Sequence, residues 1–231
     1  MTTAAGPAAV LDHLVHATPD LARTVDEVAR LTGVRPVRGG SHPGRGTRNH
    51  LLGLGGGAYF EIIGPDPEQP APREPRWFGI DALPGPRLVT WAVRVSGISA
   101  RVATARAHGY DPGEPAEMSR RAPDGTLLAW QLTPPGAGGG PAGGESAGVW
   151  LTPFLLDWGT TPHPSAAGLP TLPLVSLTAA HPAPAAVHAE LAALGAPWPG
   201  EPVTAGAGPR LTAVLEGRHG RVAFGRGAVA L

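Results

Sequence analysis

Apolar and polar positions change period several times along the chain, and the changes mark out its elements. Val10 to His16 reads as a short strand. Leu21, Val25, Val28 and Leu31 then recur at the three- and four-residue spacing of one helical face. Thr18-Pro19 is placed to open that helix, Asp20 lies near its positive end, and Gly33 is placed to close it in the left-handed conformation. A glycine-rich stretch, Gly39 to Asn49, reads as a loop. Thr47 to Leu54 and Ala58 to Ile63 flank Gly55-Gly56-Gly57, which predicts a hairpin.

The same order then returns. Arg87 to Val95 reads as a strand, and Ser96 or Ser99 can cap a helix carrying Ile98, Val102 and Ala105, ended by Gly109. Thr126 to Thr133 is a strand, Pro134 to Gly148 a long glycine-rich connection, and Val149 to Trp158 another strand. A third pass begins at Leu172 to Ala179, continues in a helix from Pro182 with Val187, Leu191 and Leu194 on one face, and closes at Gly195. Leu211 to Glu216 and Arg221 to Phe224 pair across Gly217 to Gly220. The cap glycines Gly33, Gly109 and Gly195 recur roughly eighty residues apart, which marks an internal repeat. Residues 65–86 and 159–171 carry no steady period and read as joints, the first anchored by Trp77-Phe78.

Composition narrows the chemistry. With 231 residues, 42% of them hydrophobic, the chain can bury a sizeable core, and its 34 glycines and 28 prolines cluster between the periodic segments. Net charge is zero and no dense basic patch occurs, so nucleic acid and anionic membrane surfaces are not expected partners. There is no cysteine, which removes disulfides, thiolate catalysis and Cys-ligated zinc. No signal-like start or spanning apolar run is present, so the expected location is cytoplasmic. A phosphate-loop lysine and a G-x-S-x-G elbow are both missing.

What remains is a small set of polar residues in apolar surroundings. Glu61 lies inside the strand Tyr59-Phe60-Glu61-Ile62-Ile63. An isolated ionised carboxylate is costly to bury, so it needs a partner, a proton or a water-lined cavity. Strand alternation puts Glu61 on one face with Tyr59 and Ile63, and His13 on one face with Leu11 and Val15. His42 sits in the glycine-rich stretch with Thr47 and Asn49, where side chains and backbone N–H groups suit an anion or a carbonyl oxygen. His16 and His50 read as structural or exposed.

Leu11-Asp12-His13-Leu14-Val15, Gly40 to Asn49, Tyr59 to Ile63 and Pro153 to Trp158 together resemble the glyoxalase-like branch of the vicinal-oxygen-chelate superfamily, which includes glyoxalases, bleomycin resistance proteins and extradiol dioxygenases. The resemblance implies an α+β fold of repeated βαβββ modules. Two of them (10–64 and 87–158, together 10–160) would pair into a curved mixed sheet enclosing a pocket, with a third half-module at 172–231. It places His13 and Glu61 at metal-ligand positions, which leaves room for a divalent cation bridging them. The matching positions of the second module fall near Trp91 and Leu155, which cannot ligate such a cation; Asp157, on the strand face of Leu155, is the nearest substitute. The implied function is a small-molecule enzyme acting on an oxygen-rich substrate, a lyase, isomerase or ring-modifying activity. In it Glu61 would move a proton and His13 and His42 would orient an oxygen, while Thr47, Asn49, Trp91, Phe154 and Trp158 would contact substrate. The alternative is a non-catalytic binding or self-resistance protein of the bleomycin-resistance type. An odd third module with an uncovered sheet suggests a homodimer.

Overall fold

The computed structural model describes residues 9–136, the backbone of residues 143–144, and residues 148–231. Residues 1–8, and 137–142 and 145–147 of the glycine-rich connection, lie outside the described residues. The first repeat runs β1 (Val10–Ala17), α1 (Leu21–Thr32), β2 (Val37–His42), β3 (Thr47–Gly55) and β4 (Ala58–Pro65). The second runs β5 (Arg87–Arg94), α2 (Ile98–Ala107), β6 (Ala116–Arg121) and β7 (Leu127–Leu132). After the short pair β8 (Gly143–Gly144) and β9 (Val149–Trp150) it ends in β10 (Phe154–Asp157). The third comprises β11 (Leu174–His181), α3 (Pro184–Leu194), β12 (Thr204–Ala205), β13 (Arg210–Gly217), β14 (Gly220–Gly225) and β15 (Gly227–Ala230).

Eight strands of the first two repeats close into a barrel in the order β1-β4-β3-β2-β6-β7-β10-β5. In each repeat the first strand runs parallel to the last, His13 facing Tyr59 in one and Ala92 facing Phe154 in the other. β1 and β5 join the repeats antiparallel on one side, and the Ser41–Arg121 pair of β2 and β6 joins them on the other. The expected curved mixed sheet around a pocket is thus a closed one.

Two elements differ from their sequence reading. The glycine-rich stretch is strand up to His42, and the turn is confined to residues 43–46. β6 carries no apolar alternation, because its inward positions are Met118 and Arg120 and its outward ones are polar. The helix ends are also made differently. Asp20, rather than Thr18, caps α1 by accepting from the Arg23 backbone N–H at 3.1 Å, while Thr18 bonds Thr24. Neither serine caps α2. Asp157 reaches over from β10 and accepts from the backbone N–H groups of Gly97 and Ile98.

Alternation along the barrel strands sorts side chains onto two cores. Leu14, Phe60, Trp91 and Leu155 face outward against the helices and the third repeat, whose five strands are ordered β12-β11-β13-β14-β15. There Phe224 packs on Phe60 at 4.9 Å between ring centroids, and Trp198 meets Trp91 edge-on at 5.3 Å. Phe60, Phe224 and Trp91 are fully buried, and burying such a side chain contributes about 1.5–3 kcal/mol of transfer free energy. This face of the third sheet is therefore covered within the chain. The opposite face of that sheet is open: Thr178 is exposed, and Thr212, Val214 and Ala223 are half-buried. Val15, Ala17, Ile63, Val89, Ala92 and Leu132 belong to the inner core, of which Ile63 and Leu132 line the hollow.

Candidate functional site

The barrel interior holds an open-mouthed hollow with about 620 Å³ of empty space, its mouth included. One side is polar and comes from the first repeat: His13, His42, Thr47, Asn49, Tyr59 and Glu61. The other is apolar and comes mainly from the second: Met118, Trp130, Leu132, Phe154, Leu156 and Trp158. Trp77 and Phe78 of the first joint sit at the rim, with Arg45 over the Trp77 ring at 4.5 Å. Phe78 holds a left-handed backbone conformation (φ 62°), which is uncommon for a bulky side chain and turns the joint at the hollow's edge.

His13 owes its setting to a register shift. Leu11 pairs with Val93 and His13 with Ala92, so Asp12 has no partner on β5. Such an extra residue breaks strand alternation. Leu11 consequently packs with the outer core, whereas His13 and Val15 face inward, and the expected common face of Leu11 and His13 does not hold. The same shift lets neighbouring side chains touch: Asp12 Oδ1 lies 2.6 Å from His13 Nδ1. The other oxygen of Asp12 accepts from Trp158 Nε1–H at 2.9 Å and from His163 Nε2 at 3.0 Å, and Tyr59 adds a hydrogen bond. Burial alone would raise the Asp12 pKa, but the hydrogen bonds and charges of His13 and His163 outweigh it and hold the carboxyl well below the usual carboxylate range. An ionised Asp12 fixes the proton of His13 on Nδ1 and turns Nε2 to the hollow. Tyr59 stacks on the imidazole at 4.6 Å and Phe154 meets it edge-on at 5.5 Å, across the small side chain of Ala92. Burial and the neighbouring charge of Asp12 push the Tyr59 hydroxyl pKa far up, so it stays protonated.

Glu61 is oriented by a second chain of bonds. Arg120 Nη1 donates to Asn49 Oδ1 at 3.4 Å, which turns the amide so that Asn49 Nδ2 donates to Glu61 Oε1 at 2.5 Å. Oε2 is left facing His13 Nε2 at 3.6 Å. Both residues are buried. With Nδ1 committed to Asp12 and Oε1 to Asn49, any proton that the pair holds beyond these bonds lies in the gap between Nε2 and Oε2.

His42 stands at the end of β2, its Nδ1 3.0 Å from Thr47 Oγ1. Burial lowers its pKa to about 4, so at neutral pH it offers a neutral ring that can hydrogen-bond to an oxygen without bringing charge. The structure therefore brings His13, His42, Thr47, Asn49, Glu61, Phe154 and Trp158 to one hollow. It does not bring Trp91. That indole lies on the outward face of β5, donating to the Leu151 carbonyl at 2.7 Å. The inward position beside His13 is Ala92.

Sequence reasoning missed Asp12, Tyr59 and Arg120, and gave His163, beside the second joint, only a minor place as a lid or ligand residue. Asp12 was hidden by strict alternation, which sends it away from His13. Arg120 was hidden in a segment with no strand-like pattern.

The donors available do not suit a resident metal ion. Among the described residues no group of three or more His, Asp or Glu side chains converges on a point. Asp157, the substitute from the second repeat, faces outward and is spent on α2. His13 and Glu61 alone fall short of the ligand sets that divalent cations take in proteins.

Comparison with known proteins places this geometry in a family. A family model described as "Glyoxalase-like domain" matches residues 11–195. A hypothetical protein from Staphylococcus aureus superposes with a TM-score of 0.53 at 12% identity, covering 80% of this chain and 74% of its own. Methylmalonyl-CoA epimerase from Mycobacterium tuberculosis gives 0.41 at 21% identity over 73% of this chain and 96% of its own. The Streptomyces coelicolor methylmalonyl-CoA epimerase bound to 2-nitronate-propionyl-CoA gives 0.41 at 17%, over 68% and 100%. No curated protein matches the chain in sequence. With about four-fifths of its length matched and its βαβββ repeats closed around a pocket, the chain belongs to the glyoxalase-like domain family of the vicinal-oxygen-chelate superfamily.

Proposed function

We propose that the protein is an enzyme that moves a proton on an oxygen-bearing small molecule, in the isomerase or lyase class. The observation that carries this reading is the 3.6 Å gap between His13 Nε2 and Glu61 Oε2, with every other polar atom of the pair held by Asp12 or Asn49. A carbonyl compound entering the hollow would put its carbon-bound proton at Glu61 Oε2 and its oxygen at His13 Nε2. Glu61 takes the proton from the carbon next to the carbonyl. His13, as imidazolium, shares its Nε2 proton with the oxygen as an enolate forms. Asp12 stabilises the imidazolium and keeps its ring oriented. Return of the proton to another position gives an isomer, and departure of a group on the adjoining carbon gives elimination.

No step in this scheme needs a metal ion, in keeping with the donor set. The test is deuterium uptake from D₂O by a panel of carbonyl compounds with acidic α-hydrogens, followed by proton NMR. Wild-type protein is expected to exchange at least one of them, and Glu61→Gln to abolish that exchange.

A second reading, sequestration of a natural product, draws support from the apolar half of the hollow, where Trp130 and Trp158 pack at a tilt with ring centroids 4.9 Å apart. Such a binder needs shape and aromatic surface only, so Glu61→Gln would leave its ligand affinity unchanged and no exchange would occur with either protein.

A further inference from the structure

Arg120 is the one buried cation of the hollow, 5% exposed, on an inward position of β6. Among the described residues no carboxylate lies within ion-pair distance of it, and its one hydrogen bond is the long contact with Asn49 Oδ1. None of its nitrogens is sealed off without a partner, so its other N–H groups open onto the hollow. A buried guanidinium with most of its donors unused is costly, and the fold goes out of its way to hold one here. Gly39 on the neighbouring β2 lies so close that a Cβ there would overlap Arg120 Nη1 and Asn49 Oδ1. The rim adds a second cation, Arg45, stacked on Trp77. Beside Arg120, on the paired strand β7, Trp130 with Trp158 packed against it makes an apolar wall.

The geometry points to Arg120 as the anchor for a carboxylate of the substrate, and to a substrate made of a carboxylate joined to a flat apolar body. A guanidinium fork binds a carboxylate through two parallel hydrogen bonds and fixes its orientation as well as its position. With the carboxylate on Arg120, the body lies on Trp130 and Trp158, and the carbon in between is presented to Glu61. Arg45 draws the anion to the mouth. This inference rests on reading the hollow as a substrate site, and it specifies which class of molecule enters.

The test compares 2-naphthoate with 2-naphthamide, which share the flat body and differ in charge, using quenching of tryptophan fluorescence. Wild-type protein is expected to bind naphthoate at least tenfold more tightly than the amide. Arg120→Gln should reduce that preference to within twofold, and Arg120→Lys should keep part of it. Equal affinity of wild-type protein for the two probes overturns the inference, as does no saturable quenching by naphthoate at millimolar concentration or a preference that survives Arg120→Gln. The wild-type comparison decides the matter even where the variants fail to fold. Because binding alone is read, a chain that prefers naphthoate but exchanges no proton supports the anchor and contradicts the proton-transfer reading.

Discussion

Asp12 and His13 are consecutive residues of one strand, yet their side chains meet at 2.6 Å, because the register of β1 against β5 shifts between Leu11 and His13. The contact makes Asp12 a positioning residue: it sets which ring nitrogen of His13 faces the hollow.

Asp12→Asn should therefore cost exchange activity on the order of 10²–10⁴-fold, the loss seen when a carboxylate that orients a catalytic imidazole is neutralised. A purely structural role would not change the ring itself. Nitrogen-15 NMR is expected to show a proton held on His13 Nδ1 in the wild type and loss of that preference in the variant.

His16 gives a stability prediction with a definite sign. It is sealed on the outward face of β1 between Phe60 and Phe224, with no partner for either ring nitrogen, and burial lowers its pKa from 6.5 to about 3. The unfolded chain thus takes up a proton near pH 6.5 that the folded chain refuses until about pH 3. Stability is full above the unfolded value and falls as the pH drops through this window. At pH 5 the loss from His16 is about 2 kcal/mol. His16→Leu should remove that share of the difference between pH 7 and pH 5 in urea unfolding, and His42 would keep its own, lost between 6.5 and about 4.

The two indoles that pack on each other in the hollow, Trp130 and Trp158, should respond differently to loss of their N–H. Trp158 Nε1 donates to the ionised Asp12, whereas Trp130 Nε1 is buried without an acceptor. A hydrogen bond to a charged group contributes about 1.5–3 kcal/mol. Trp158→Phe should be destabilising by about that much more than Trp130→Phe. Equal losses in denaturant unfolding would mean that the Trp158–Asp12 bond contributes nothing.

Much of this architecture was legible from residue order. Gly33 and Gly195 do close their helices in the left-handed conformation, and the hairpin across residues 55–57 forms as the alternation predicts. The inward face of β4 is also as read, with Tyr59, Glu61 and Ile63 together. The failures share a cause. Alternation is a local rule, and a single unpaired residue reverses it, which hid Asp12. The ligand-matching positions of the second repeat, Trp91 and Leu155, likewise fall on the outward face, one residue from the inward Ala92 and Phe154. Arg120 is polar where a core residue is usual, so its strand carried no signal, and only its neighbours in space explain it.

Gly39 links backbone to site without taking part in chemistry. Gly39→Ala would press on Asn49, Arg120 and Leu51 at once. It should cost about 1–3 kcal/mol of stability, as overpacking does, and weaken 2-naphthoate binding at least tenfold by displacing Arg120. Thermal unfolding and fluorescence titration of the variant check both expectations.

The most direct test of the His13–Glu61 pair is solvent deuterium exchange into α-hydrogens of bound carbonyl compounds, measured side by side for wild type and Glu61→Gln, with affinity read in the same samples by tryptophan quenching. The account predicts exchange by the wild type and at least a hundredfold loss in the variant, on the scale of general acid–base catalysis, with affinity within a few-fold. Exchange at the wild-type rate in Glu61→Gln, or none by wild-type protein from any carbonyl compound that it binds, would contradict it.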